Sequence, residues 1–435
     1  MVSPSISYII PAYNAAGTLR DTLSSLAAQT RPDWEAVVVD DGSTDDPGEV
    51  VTAIGDRRVR FIRQENAGLA GARNTGWNVA GAPAVCFLDA DDTVAPRHAE
   101  RLLTRLSGHD AAGCASRMVG PGLEDLSWLY APGDHDFTPE RLLRCNPVCV
   151  GAVVIDRAAP ARLGLIEPPF DESMRVAEDW DLWLRMTLAG ARWASVESEP
   201  LFSYRLRAGS LYGDIRAMWR AGLGLIGRAA RGPEGHRAAR EWGVRCLARA
   251  AAADEGVVLV HEVRTHLGPL RDEDEGVLLG ALRWAFCREN VKSPDYVGDL
   301  AALWKRRIVE RLGDDPVAAR AAERIGWGDE RWSRLADDAA ARAARGERIV
   351  VYGAGRNGRH ILELLRQRGV MAGYMDDHPG ARGDGPRVRI SDLTNAHTVL
   401  VTPDERGDIV QRLRGSPALV LYPESVSVQE TVLCP

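Results

Sequence analysis

Short apolar runs alternate with amphipathic segments over residues 1–106. Ser5 to Ile10 reads as a strand closed by Pro11. Leu19, Leu23 and Leu26 recur at the spacing of one helix face, behind Thr18 as a candidate cap. Ala36 to Val39 is the next apolar run, and it ends in Asp40-Asp41-Gly42-Ser43. A helix is expected near Pro47 to Ile54 and a strand at Val59 to Ile62. Asn66 to Gly71 reads as a flexible loop, and Ala72 to Ala80 as a helix. A fourth apolar run, Val85 to Leu88, ends in Asp89-Ala90-Asp91-Asp92, with helical sequence from Arg97 to Leu106 beyond it. Continuous apolar runs mark strands buried on both faces. Their alternation with helices predicts a parallel α/β sheet. Ligands of such sheets sit beyond the carboxyl ends of the strands, where both acidic clusters fall.

The pattern then changes twice. Gly120 to Asp136 is rich in Gly, Pro and acids and reads as a loop; Val148 to Ile155 reads as a strand. Val176 to Arg185 predicts a helix that starts near Glu178 and Asp179, with Leu182, Met186 and Ala189 inward. The helix macrodipole there favours ionised carboxylates. Trp180 and Trp183 fit either an exposed ligand-stacking surface or a core. From Asp214 to Arg345 the text is rich in Ala, Arg and Leu at helical spacing, punctuated by Pro269, Pro294 and Pro316, without a fixed repeat. Arg348 to Tyr352 opens a new α/β pattern. Gly353, Gly355 and Gly358 follow it, then a helix to Arg368, a strand from Met371 to Met375 and the acid Asp376. That is the context in which glycines admit a phosphate to a helix start. Further strands are expected at Thr398 to Thr402 and Ala418 to Leu421. Half a dinucleotide fold offers half a crevice, so a second nucleotide site and a homodimer-forming module are both open. The expected domains are 1–210, 211–345 and 346–435.

Composition narrows the class. The chain has 435 residues, 45% hydrophobic and 26% charged, as in ordinary globular protein. A net charge of -7 argues against a broad nucleic-acid-binding face. No apolar run approaches a transmembrane segment, and no signal peptide precedes the first strand, so a cytoplasmic protein is expected. Seven cysteines, scattered and odd in number, are expected to be reduced.

Three carboxylates at one strand end repel one another unless a cation sits among them. Asp89 and Asp91 suit a hard divalent ion that prefers oxygen ligands. A rival exists: Asp89-Ala90-Asp91-Asp92-Thr93 also fits the nucleophile motif of haloacid-dehalogenase-like phosphatases. That chemistry wants a lysine near the phosphate, and the only lysines, Lys292 and Lys305, lie far along the chain in helical-looking sequence.

Four motifs in order carry a resemblance. They are Ile9-Ile10-Pro11-Ala12-Tyr13-Asn14; Val38-Val39-Asp40-Asp41-Gly42-Ser43-Thr44-Asp45; Glu65-Asn66-Ala67-Gly68 with Ala72-Arg73-Asn74-Thr75-Gly76; and Leu88-Asp89-Ala90-Asp91-Asp92. Together they closely resemble the family 2 glycosyltransferases of GT-A fold, over about the first half of the chain. The resemblance implies an α/β GT-A nucleotide-diphospho-sugar transferase domain, joined here to a helical middle and a small Rossmann-like tail. It implies a nucleotide-sugar donor, often UDP-linked, and a hydroxyl acceptor on a glycan, natural product or peptide, with inversion at the sugar. Pro11 and Tyr13 would line the base pocket. Asp41, with Asp40 beside it, would accept from the base or ribose. Asn66, Gly68 and Arg73 belong to the donor side. Asp91 with Asp89 would hold Mg²⁺ or Mn²⁺ on the diphosphate. Glu178 and Asp179 match the catalytic signature, with Asp179 as general base. Arg207 stands where members often carry His; Arg binds phosphate but does not ligate a metal in practice. A nucleotide-sugar-binding module without transfer is the remaining alternative.

Overall fold

The computed structural model describes residues 3–130, 132–194, 197–206, 214–253, 257–290, 307–313, 315–325, 336–337, 339–352, 361–362, 365–375, 397–401 and 419–421. Contacts divide the chain into two compact units, residues 1–269 and 270–432.

In the first unit, β1 (Ile6–Ala12), α1 (Ala16–Ala27), β2 (Trp34–Asp40), α2 (Pro47–Ile54), β3 (Val59–Arg63), α3 (Gly68–Val79) and β4 (Ala84–Phe87) follow in turn. Next come β5 (Thr93–Val94), α4 (His98–Leu106), β6 (Ala111–Val119), β7 (Asp125–Tyr130) and α5 (Pro139–Leu142). The sheet is completed by β8 (Val153–Asp156) and β9 (Glu197–Arg205), with α6 (Ala159–Arg162) and α7 (Glu178–Leu188) between them. The strand order is β3-β2-β1-β4-β8-β6-β9-β5, with β7 on β6. The first four strands are parallel, as their apolar runs predict. β8 runs antiparallel to both β4 and β6, so the sheet as a whole is mixed. Chain order runs outward from β1 to β3 and then returns to the other side of β1 with β4. Such a reversal, at the carboxyl ends of β1 and β4, is where open α/β sheets take their ligands.

Three sequence expectations change. Thr18 does not cap α1: its hydroxyl donates to the carbonyls of Ala15 and Ala90, and the N–H of Ala16 donates to the Asp45 carboxylate at 2.8 Å. The cap comes from a different loop, which local pattern cannot show. α3 starts at Gly68, inside the expected loop, because the Asp41 carboxylate accepts from the N–H groups of Ala67 and Gly68. The segment from Gly120 contains β7 rather than loop throughout. α3 lies close on β1: a Cβ on Gly76 would meet Cγ2 of Ile9 at 2.3 Å, so this contact requires glycine.

α8 (Ile215–Ala229), α9 (Gly232–Ala252) and α10 (Val257–Leu267) complete this unit. Asp214 caps α8 by accepting from the Ala217 N–H at 2.9 Å. In the second unit, α11 (Glu275–Asn290) and a helix at Pro316–Ile325 precede β10 (Arg348–Tyr352), β11 (Gly373–Met375), β12 (His397–Val401) and β13 (Leu419–Leu421). These four strands are parallel in the order β11-β10-β12-β13. Ala336, Ala339, Ile349, Val351, Ile361, Leu365 and Ala372 form a core there. Gly353, Gly355, Gly358 and Asp376, the expected second nucleotide site, lie outside the described residues.

Among the described residues no helix is long and apolar enough to cross a membrane. Cys86, Cys114, Cys149 and Cys246 are free, whereas Cys145 is disulfide-bonded. That differs from the expectation of reduced cysteines, since spacing along a chain does not report which sulfurs meet in space.

Candidate active site

The carboxyl ends of β1 and β2 meet first. Ala12 pairs with Asp40 in the ladder, which sets the following loops side by side. Asn14 adopts a left-handed conformation, φ 52°, and its side-chain carbonyl accepts from the N–H and hydroxyl of Thr44. Its own N–H donates to the Ser43 hydroxyl at 3.0 Å. Pro11 is buried in β1, and Tyr13 stands 53% exposed just beyond the strand. Asp40 is fully buried: one carboxylate oxygen accepts from the Ser43 N–H, and the other has no hydrogen-bond partner, with Arg63 at 3.4 Å. Asp41 accepts from Gln64 at 2.8 Å as well as from the N–H groups of Ala67 and Gly68. Its carboxylate thus ties the β2 end to the start of α3. Gly42, at φ 78°, allows this: a Cβ there would stand 3.2 Å from the Asn66 nitrogen. Asn66 and Gly68 are exposed on the same loop.

One turn into α3, Arg73 connects the other two motifs. It is 1% exposed, not a surface residue. One guanidinium nitrogen donates to Asp89 at 2.7 Å and another pairs with Glu178. Its plane lies 5.6 Å from the Phe170 ring. Burial alone would favour loss of the Arg73 proton. The charges of Asp89, Glu178 and Asp179 reverse this and hold the guanidinium more firmly protonated than usual. Asn74, beside it, grips Phe170 in both directions, through the backbone carbonyl at 2.9 Å and the N–H at 3.1 Å, and also donates to Glu172. The dipeptide Arg73-Asn74 thereby joins the end of β4, the segment at Phe170 and the start of α7.

The acids after β4 divide by environment. The Asp89 side chain is 29% exposed, with one oxygen on Arg73; Asp91 is half-buried. Asp92 is buried and accepts from the Arg205 N–H at 2.8 Å, fastening the end of β9. Burial, then the charges of Asp91 and Asp89, push the Asp92 carboxyl well above the usual range. The hydroxyls of Thr22 and Thr18 hold the carbonyls of Ala90 and Asp92 from α1. Among the described residues no cluster of three His, Cys, Asp or Glu groups forms a cation cage. Asp89 and Asp91 are hard oxygen donors of the type that Mg²⁺ or Mn²⁺ takes, ions that complete their shells with phosphate oxygens and water. Arg207 lies outside the described residues.

α7 begins with Glu178 after Ala177, itself left-handed at φ 62°. Glu178 is buried against Arg73. Asp179 is half-buried; its oxygens accept from the Trp180 N–H at 2.7 Å and from the Asn146 amide at 3.0 Å. Burial, and then the charge of Glu178, push its carboxyl up to about 7 against the opposing pull of Arg73. The macrodipole's preference for the ionised form is here opposed by desolvation and a like charge. Trp180 and Trp183 are fully buried, with the Trp180 ring 4.8 Å from that of Trp242, so neither offers a sugar-stacking face. Asn146 escaped the sequence reading. It lies 33 positions from Asp179 in the chain and belongs to no motif.

A mixed sheet whose first four strands are parallel and switch order between β1 and β4, with carboxylates at that edge from three separate elements, is the arrangement of a GT-A α/β fold. The comparisons agree: residues 7–151 match the model of glycosyl transferase family 2. TuaG of Bacillus subtilis, named for teichuronic acid biosynthesis, is 31% identical over 209 residues, covering 47% of this chain and 79% of TuaG. The chain belongs to glycosyl transferase family 2. The succinoglycan biosynthesis protein ExoO of Rhizobium meliloti is 32% identical over 224 residues, 48% of this chain and 62% of ExoO. A validoxylamine A glucosyltransferase of Streptomyces hygroscopicus is 42% identical over 154 residues, 32% of this chain and 35% of that protein. The chain thus spans less than two thirds of the length of these last two relatives. The solved S. aureus TarS structure with UDP-GlcNAc aligns at a TM-score of 0.44 and 20% identity, covering 74% of this chain and 92% of that one.

Proposed function

We propose that the chain is an inverting glycosyltransferase that moves a sugar from a UDP-linked donor to an acceptor hydroxyl. The observation that carries this reading is the pairing of buried Arg73 with Asp89 on one side and Glu178 on the other. It couples the acidic end of β4, suited to a diphosphate and its cation, to the helix start that bears Asp179. In the reaction, Asp179 takes the acceptor hydroxyl proton. The acceptor oxygen bonds to the anomeric carbon from the face opposite the diphosphate, and the electron pair of the breaking bond leaves with UDP. A carboxyl titrating near neutrality is matched to that task. Glu178 holds Arg73 rather than taking the proton. Bound Mg²⁺ or Mn²⁺, held by Asp91 and Asp89, would neutralise charge that develops on the diphosphate. Arg207 would add a direct phosphate contact. Tyr13 and Pro11 would flank the base, with Asp41 as acceptor for its N–H and the fully buried Asp40 bracing the loop behind it through the Ser43 N–H; Asn66 and Gly68 complete that wall.

The names of the relatives concern succinoglycan, teichuronic acid and validoxylamine A. They favour a glycan or natural-product hydroxyl as acceptor over a peptide. A phosphatase using Asp89 is not favoured: the family match runs against it, and Asp89 is already paired with Arg73. The test is thermal stabilisation by UDP. UDP with Mn²⁺ or Mg²⁺ should raise the melting temperature more than UDP in EDTA, and Asp91→Ala should remove that difference. Equal stabilisation in EDTA and in Mn²⁺ contradicts the metal role, and no stabilisation by UDP in either contradicts the donor.

A further inference from the structure

Asn146 reaches Asp179 from the segment after α5, and that segment is fastened to α7. The carbonyl of Leu142 accepts the indole N–H of Trp180 at 2.6 Å, one residue beyond Asp179. Cys145 and Val148, flanking Asn146 and Pro147, are both fully buried. Pro147 restricts the residue before it to extended backbone, so the Asn146 Cα has little freedom. The side-chain carbonyl of Asn146 accepts from the Val148 N–H at 3.4 Å, which turns its NH₂ group toward Asp179. There Nδ2 donates to Oδ2 at 3.0 Å, while the Trp180 N–H holds Oδ1 at 2.7 Å.

We propose that Asn146 is a positioning residue for the transfer reaction: its amide, set by a backbone packed on α7, fixes the orientation of the Asp179 carboxylate and favours its ionised form. The inference rests on the reading of Asp179 as general base. Among the described residues, the charged and titratable groups that act on Asp179 include Glu178 on its own helix, Arg73 from α3 and Cys149 from the segment that follows Asn146. Glu178 opposes ionisation, and burial pushes the Cys149 thiol far above its usual range, so it stays neutral. Against burial and Glu178 stand, among the described residues, Arg73, the Trp180 N–H and the Asn146 amide. Arg73 is shared with two other carboxylates, and the Trp180 N–H holds Oδ1, so the Asn146 amide is the side-chain donor that sets the second oxygen, Oδ2.

The test is a pH titration of the full chain by infrared difference spectroscopy. The Asp179 carboxyl band is identified as the one lost when Asp179→Asn is added to the same background. In Asn146→Leu, which keeps bulk but removes the donor, and in Asn146→Ala, the band should titrate about one pH unit higher than in wild type. That is roughly a tenfold gain in proton affinity. Circular dichroism establishes that both variants fold. Midpoints equal to wild type in both variants overturn the proposal. A shift in Ala but not in Leu also overturns it, because it marks a packing role. Failure of the general-base reading is separately visible: Asp179→Asn would then retain transfer while the infrared shift persisted.

Discussion

At Arg73 one guanidinium answers for two buried or half-buried carboxylates. Its removal leaves Glu178 in the interior without a partner, and breaking a buried pair in this way costs about 3–5 kcal/mol. Arg73→Met should lower unfolding stability by that order in a urea titration. A loss under about 1 kcal/mol would mean that the pair is already well solvated. Asp179 carries a pH prediction of defined sign. Its folded carboxyl is raised to about 7, above the ordinary aspartate range, so ionisation is disfavoured in the folded protein. Stability is therefore unaffected below the unfolded value and is lost as pH rises from there toward 7. Asp179→Asn should melt with wild type at pH 4 and above it at pH 8. Transfer should follow the opposite course and rise through about pH 7, since the ionised form is the base.

Among the elements, α3 bears most on the site. Its start is capped by Asp41 from β2, its middle carries Arg73 and Asn74, and its contact with β1 runs through Gly76. Gly76→Ala places a methyl into Ile9 and should destabilise by about 1–3 kcal/mol, as overpacking does. Adding Ile9→Val should recover part of that loss; no recovery would show that the strain is not at this contact. The four parallel strands and both acidic strand ends were legible in the sequence, because continuous apolar runs and acids at strand ends are local patterns. The start of α3, the cap of α1, the strand β7 and the role of Asn146 were not. The first two and the last depend on a partner distant in the chain, Asp41, Asp45 and Asp179; β7 pairs with the neighbouring β6, but the Gly-, Pro- and acid-rich text around it hides the strand pattern. The two tryptophans of α7 were readable either as core or as acceptor surface, and only their packing against Leu142 and other rings decides for core.

For the molecule as a whole, every described residue proposed to handle donor or acceptor lies in the unit of residues 1–269. A protein of those residues alone should fold and be stabilised by UDP as strongly as the full chain. Loss of UDP stabilisation, with the fold intact by circular dichroism, would assign part of the donor site to residues 270–432. The central claim is that Asp179 takes the acceptor proton in a sugar transfer driven by a separately bound donor. The most direct measurement compares wild type with Asp179→Asn in two assays: binding of UDP, and the initial rate of sugar transfer from the nucleotide-sugar that stabilises the wild type. UDP affinity should stay within about threefold, and the transfer rate should fall by roughly a hundred-fold to ten-thousand-fold, the range of general-base catalysis. An unchanged transfer rate would contradict the account.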